Sequence, residues 1–109
     1  MLANPITVNV DLPVDNTDVL ANSLLDPVPG PGLLLLYVAS TQRDGQVSVT
    51  GPGVSGGTYL IPPVLRASGI PDLQADMPSV VPVAGGKVYI NYNEVTAADA
   101  FATIMFMPA

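Results

Sequence analysis

Proline and glycine spacing constrains this chain more than any other feature of its sequence. The 109 residues include 12 prolines and 10 glycines, which divide the chain into short segments. Residues 6–12 alternate cleanly: Ile6, Val8 and Val10 point one way, while the polar residues between them point the other. A period of two indicates a half-buried strand. Several short strands joined by Gly/Pro turns predict an all-β fold.

Turn residues and apolar runs predict the other elements. Asp44-Gly45 is typical of a type I′ turn and predicts a hairpin between the strands on either side of it. Val47 and Val49 are expected to face inward on the return strand. Further strands are predicted at residues 33–40, 46–50, 58–61, 87–92 and 100–107.

Two segments are expected to lie outside these strands. Residues 13–32 allow one short helical turn behind a cap at Asn16 or Thr17. Residues 62–86 contain five prolines and predict a long, stiff, proline-rich loop. The whole chain, residues 1–109, is interpreted as a single domain, a small antiparallel β-sandwich or barrel of jelly-roll-like type.

Charge and composition exclude several classes of function. Charged residues make up 11% of the chain, the formal net charge is −6, and the cations are Arg43, Arg66 and Lys87. Three scattered cations cannot form the basic surface that nucleic acid or an anionic membrane requires. The sequence shows no signal peptide, and its longest apolar run is too short to span a bilayer, so we expect synthesis in a cytoplasm.

The side chains that carry most enzyme chemistry are missing. The chain has no cysteine and no histidine, which excludes disulfides, thiolate nucleophiles and a histidine base. The acid pairs Asp15/Asp18 and Asp72/Asp76 are interpreted as turn and cap residues. We therefore predict no enzymatic activity, no cofactor and no metal.

The informative feature is a surplus of apolar side chains. Residues 33–38 and 101–107 are apolar on both faces, whereas a two-layer sandwich covers only one face of each sheet. Either the loops at 13–32 and 62–86 cover the second faces, or a neighbouring subunit does. The predicted interface residues are Leu34, Leu36, Val38, Ile104, Phe106, Pro62, Pro63, Ile70 and Pro71.

In size, acidity, lack of cysteine, Pro/Gly/Ala content and β pattern, the chain resembles the small decoration (cement) proteins of tailed-phage capsids. The resemblance implies a non-enzymatic virion protein on the capsid surface, made in the host cytoplasm. It further implies homotrimers that bridge subunits of a major capsid protein. The alternative is a small β module that binds carbohydrate or peptide through Tyr37, Tyr59, Tyr89 and Tyr92.

Overall fold

The structure is a computed structural model that describes residues 4–13, 18–42, 45–93 and 99–109. Within these ranges the chain forms β-strands and no helix, which confirms the predicted all-β fold. It therefore has no helix, in the described residues, of the length and apolarity needed to cross a membrane. The strands are β1 (Ile6–Asp11), β2 (Gly32–Ser40), β3 (Gln46–Thr50), β4 (Tyr59–Ile61), β5 (Val64–Leu65), β6 (Ser79–Val83), β7 (Tyr89–Asn93) and β8 (Ala100–Pro108).

The described strands make two sheets. The larger has the order β1-β8-β2-β5, and β6 also pairs with β2; the smaller has the order β4-β3-β7. All pairs are antiparallel except β2–β5. Buried side chains from both sheets join one cluster, so the core lies between the sheets. The bulkiest members are Tyr92, Phe106, Leu20, Leu25, Leu34, Leu36, Ile90 and Ile104.

The long pairing of β2 with β8 is the centre of the larger sheet. All nine residues of β2 lie in register with β8, which puts Leu34 opposite Phe106 and Leu36 opposite Ile104. Directly opposed residues share one face of a sheet, so these four side chains enter the core together. Burying each of them contributes about 1.5–3 kcal/mol.

The predicted hairpin between β2 and β3 is wrong. The two strands lie in different sheets, although Val47 and Val49 face the core as expected; Asp44 lies outside the described residues. Gly45 is needed for close packing: a Cβ atom there would lie 2.5 Å from the Tyr92 hydroxyl oxygen. The Tyr92 hydroxyl also shares a 2.7 Å hydrogen bond with Ser40 at the end of β2. Ser40 at the end of β2 and Gly45 before β3 therefore both lie beside the buried Tyr92.

Residues 62–86 are not one long loop, because they contain β5 and β6. Pro82 lies inside β6, where its carbonyl oxygen accepts a hydrogen bond from the Ser55 N–H. In an antiparallel strand the N–H and C=O of one residue point the same way. The missing N–H of Pro82 therefore faces away from β2, and its pairing with β2 is preserved.

Residues 18–31 form turns, and the predicted helical turn is absent from this part of the chain; its cap residues lie outside the described residues. Leu20 is buried and Leu24 is 75% exposed, so they do not form one helical face. Lys87 holds this segment through its Nζ, which lies 2.8 Å from Asp18 Oδ1 and 2.7 Å from Asp26 Oδ1. Leu20, Leu25 and Val28 of this segment join the core, but they leave the second face of the larger sheet partly exposed.

Candidate interaction surface

The larger sheet turns one face away from the core, and we call this surface the outer face. Strand register places its residues in rows across β8, β2 and β6: Met107, Leu33 and Pro82 in one row, Met105, Leu35 and Val80 in the next. Tyr37 and Thr103, which lie opposite each other, continue the same side of the sheet, although Thr103 is only 7% exposed. The outer face consists of Leu33, Leu35, Tyr37, Val80, Pro82, Phe101, Thr103, Met105 and Met107.

Apolar side chains on the outer face are left partly in water. Leu33 is 43% exposed, Val80 51% and Met107 41%. Fully burying one such side chain stabilises a structure by about 1.5–3 kcal/mol. Close to half of this free energy would still be gained at each of the three side chains if a partner covered it. A contiguous apolar surface of this kind is typical of a site that meets another molecule.

The smaller sheet differs from the larger one in its outward side chains. On β3 and β7 these include Ser48 and Thr50, with Asn91 directly opposite Ser48. Antiparallel sheets commonly put polar residues on the solvent side. The smaller sheet follows that pattern apart from Leu60 on β4 and the Tyr89 ring, whereas the larger sheet departs from it along three neighbouring strands.

The outer face carries no charge along β2, β6 and β8, although the chain has a formal net charge of −6. Among the residues the structure describes, both cations are engaged in ion pairs, Lys87 with Asp18 and Asp26, and Arg66 with Asp76. Asp11 on β1 is the nearest acid in the strand register, opposite Phe101. An uncharged partner surface can therefore approach the outer face without burying an unpaired charge.

Five of the nine predicted interface residues lie in the core of the chain itself. Their side chains are at most 4% exposed, so a neighbour cannot reach them in this structure; they are Leu34, Leu36, Val38, Ile104 and Phe106. The surplus apolar surface is carried by the opposite face of the same strands. Thr103 is the one sequence signal for this, because it is the only polar side chain between Ala100 and Met107 and it lies on the outer face.

The other four predicted residues are at the surface but in two places. Ile70 and Pro71 line a groove of about 240 Å³ with Asn9 and Phe101, at one end of the outer face. Pro62 and Pro63 line a separate groove of about 420 Å³ with Gly45, Val47 and Leu60, on the smaller sheet. The structure therefore does not bring the nine residues together.

The connection beside the outer face is held by its own polar contacts. The Arg66 guanidinium forms an ion pair with Asp76, which holds the pKa of that carboxyl below its ordinary value. Asp76 Oδ2 also accepts the backbone N–H of Asp72 at 2.9 Å. Asp72 Oδ1 accepts the Gln74 N–H at 3.0 Å, which confirms the interpretation of Asp72 as a turn residue.

Lys87, the one lysine of the chain and therefore the one amine side chain that could act as a base, is held in the ion pairs with Asp18 and Asp26. Hydrogen bonds from its ammonium group, first to Asp18 and then to Asp26, raise the pKa of Lys87 above its ordinary value. A lysine that stays protonated cannot accept a proton at neutral pH. Asp15, the other member of the first acid pair, lies outside the described residues.

The four tyrosines lie in different environments. Tyr92 is buried, and the Tyr59 hydroxyl donates to the Ser55 carbonyl at 2.7 Å. Tyr37 belongs to the outer face, and the Tyr89 ring lies 5.7 Å from Lys87 Nζ on the other sheet. They do not form a common stacking platform.

The described residues contain no group of three or more acidic, histidine or cysteine side chains placed to hold a metal ion. Comparison of the chain with known protein families, with curated proteins and with solved structures finds no match.

Proposed function

We propose that this chain is a non-enzymatic structural subunit that stabilises a larger assembly through the outer face. The observation that carries the proposal is the uncharged, partly exposed apolar surface along β2, β6 and β8. Interfaces of permanent assemblies are more apolar than free surfaces. A small sandwich with one polar and one apolar outward surface suits a subunit that sits on a neighbour with one side.

The assembly we propose is a virion, in which the chain decorates the capsid surface. Its partners are copies of itself, as trimers, and a major capsid protein whose neighbouring subunits it bridges. This assignment follows the compositional resemblance to small cement proteins of tailed phages. The outer face supports it because cementing needs a persistent contact surface and no chemistry. The finer architecture we assign is a jelly-roll-like sandwich.

Light scattering after size-exclusion chromatography tests the role of the outer face. The substitution Val80→Asp puts a charge at a half-exposed position of the outer face, and Gln46→Asp puts the same charge at an exposed position of β3. We expect the unsubstituted chain to form oligomers at micromolar concentration, Val80→Asp to lower the mass, and Gln46→Asp to leave it unchanged. A stable monomer of the unsubstituted chain, or an equal effect of both substitutions, contradicts the proposal.

A map of the intact particle by electron cryo-microscopy tests the proposed location. We expect the outer face against a capsid subunit and the smaller sheet in solvent. The opposite orientation, with the polar side of the smaller sheet seated on the capsid, contradicts the assignment.

The second candidate is a peptide-binding module, favoured by the groove beside Gly45, Leu60 and Pro62. Its open, mainly apolar lining suits a short apolar peptide segment better than a sugar. A glycan array checks the sugar alternative, and we expect no binding, because the tyrosines that motivated it lie apart. Saturable binding that Tyr37→Ala or Tyr89→Ala abolishes would restore it.

A further inference from the structure

We infer that two copies of this chain associate through the free edge of β1, antiparallel and across a two-fold axis at Asn9. The inference rests on the proposed function in that it assumes association between copies; because a cyclic trimer has no two-fold axis, this contact would join copies from two different trimers. It concerns the edge of the larger sheet, not the outer face. The two surfaces can therefore be tested separately.

The first step is the direction of the β1 backbone groups. Among the residues that the structure describes, β1 ends the larger sheet and pairs only with β8. The Leu12 N–H donates to the Ala100 carbonyl at 3.0 Å, so it points toward β8. Backbone groups alternate along a strand, so those of Val8 and Val10 also point toward β8. Those of Thr7, Asn9 and Asp11 point away from it, toward the free edge.

The second step is the lack of protection along this edge. Exposed edges are commonly blocked by proline, lysine, a bulge or very short length. β6 contains Pro82 and is contacted by Ser55, and β4 has three residues followed by two prolines. β1 has six residues, with proline only outside its ends and no lysine. Its one charged side chain is Asp11 at the end of the strand, so in the described part of the chain the edge is open to pairing from Ile6 to Val10.

The third step is the symmetry of the strand sequence. Residues 6–12 read ITVNVDL, which is nearly palindromic in character about Asn9. An antiparallel copy centred there puts Val8 opposite Val10, Thr7 opposite Asp11 and Ile6 opposite Leu12. Asp11 meets a neutral hydroxyl and not a second carboxylate, so the pairing brings no like charges together. This complementarity selects a second copy of β1 as the occupant of the edge.

The pairing also accounts for the side chains on both sides of β1. Ile6, Val8 and Val10 face the core but stay partly exposed at the sheet edge, and a second strand beside them would extend their cover. Pairing would also join the outer faces of the two copies into one surface. The outward side chains of the two β1 strands, Thr7, Asn9 and Asp11, would form a polar seam between the two apolar surfaces.

Single-cysteine cross-linking tests the pairing, because the chain has no cysteine of its own. In the proposed register the two Asn9 Cα atoms are about 5.5 Å apart, within disulfide reach. The two Thr7 Cα atoms are about 14 Å apart, beyond it. With diamide as oxidant we expect Asn9→Cys to form a covalent dimer and the exposed Thr7→Cys to stay monomeric. Equal linking of both variants, or linking of neither at millimolar concentration, overturns the inference.

Hydrogen exchange gives a second readout that does not need a cysteine. In the paired state the amides of Asn9 and Asp11 are protected like those of Val8 and Val10, and dilution removes their protection. Thr7→Pro deletes an outward N–H and spares the pairing with β8. It removes two of the six hydrogen bonds this register forms, so we expect a dimer Kd raised roughly 30-fold; Thr7→Ala is the control.

The remaining outcomes of these experiments distinguish pairing through the β1 edge from association through the outer face. Fast exchange of Asn9 and Asp11 at millimolar concentration overturns the edge pairing even when the chain is oligomeric, and leaves the outer face untouched. Protection that does not change on dilution also overturns it, because another segment of the same chain then covers β1. If Val80→Asp lowers the mass while Asn9→Cys still cross-links, the two contacts are separate.

Discussion

Adjacent leucines on β2 test which face of the larger sheet is inside. Leu34 is 0% exposed and Leu33 is 43% exposed, on the same strand with the same side chain. Replacing leucine by alanine removes three carbon groups, worth about 2.4 kcal/mol of transfer free energy when fully buried. Leu34→Ala also leaves a cavity between the sheets, so we expect a total loss of about 3–5 kcal/mol.

Leu33→Ala should lower the free energy of unfolding by about 1.4 kcal/mol, a little over half of the transfer free energy of the three carbon groups. The loss is smaller because the Leu33 side chain is partly in water and its removal leaves no closed cavity. The free energies of unfolding of the two variants should therefore differ by about 2–4 kcal/mol, or roughly 10–20 °C in melting temperature for a chain of this length.

The assay is urea unfolding followed by circular dichroism, with the midpoint and the slope compared between variants. It should be run at two protein concentrations, because association through the outer face would make the cost of Leu33→Ala depend on concentration. Equal losses for both variants at the lower concentration would refute the assignment of the faces. A larger loss for Leu33→Ala would reverse it.

Two further predictions concern close packing and pH. Gly45→Ala puts a Cβ atom against the Tyr92 phenol and should lower the free energy of unfolding in urea by about 1–3 kcal/mol. The control Gly30→Ala has nothing within 4 Å of its Cβ position and should lower it by less than 1 kcal/mol; equal losses would contradict the packing at Gly45. The Lys87 hydrogen bond lowers the pKa of Asp26, so its contribution to stability is full above the ordinary aspartate pKa and is lost as pH falls through the lower folded-state value. The urea midpoint should fall below about pH 4, with a smaller fall in Asp26→Asn, and an unchanged acid dependence in that variant would show that the ion pair does not contribute.

Local sequence pattern was sufficient to predict a strand and its buried face where one face is apolar and the other polar. β1 was predicted to within one residue at its end, and Val47 and Val49 were correctly placed inward on β3. In these strands a period of two has one solution, because the polar side chains must reach water. The all-β fold follows from the same local rule.

The same reasoning failed where a strand is apolar on both faces. In β2 the rows of Leu33 and Leu34 are equivalent as sequence, and the interface residues were assigned to the row that the structure buries. The deciding information is long-range: Leu34 pairs with Phe106 and Val81, and these enter the core with it. Sequence alone does not supply that pairing.

The hairpin and the proline-rich loop show the same division between local and tertiary causes. Gly45 correctly indicated the end of one strand and the start of the next. Glycine is needed there because the Tyr92 ring, on a strand more than forty residues later, leaves no room for a Cβ atom. Pro82 is one of the five prolines from which a loop was predicted, but it fits in β6 because its missing N–H faces Ser55 and not β2. Residue pattern was enough to predict that this chain folds as strands and carries more apolar surface than one core needs. Which of the apolar surfaces stays outside could be read only from the three-dimensional arrangement, because it depends on which strands become neighbours.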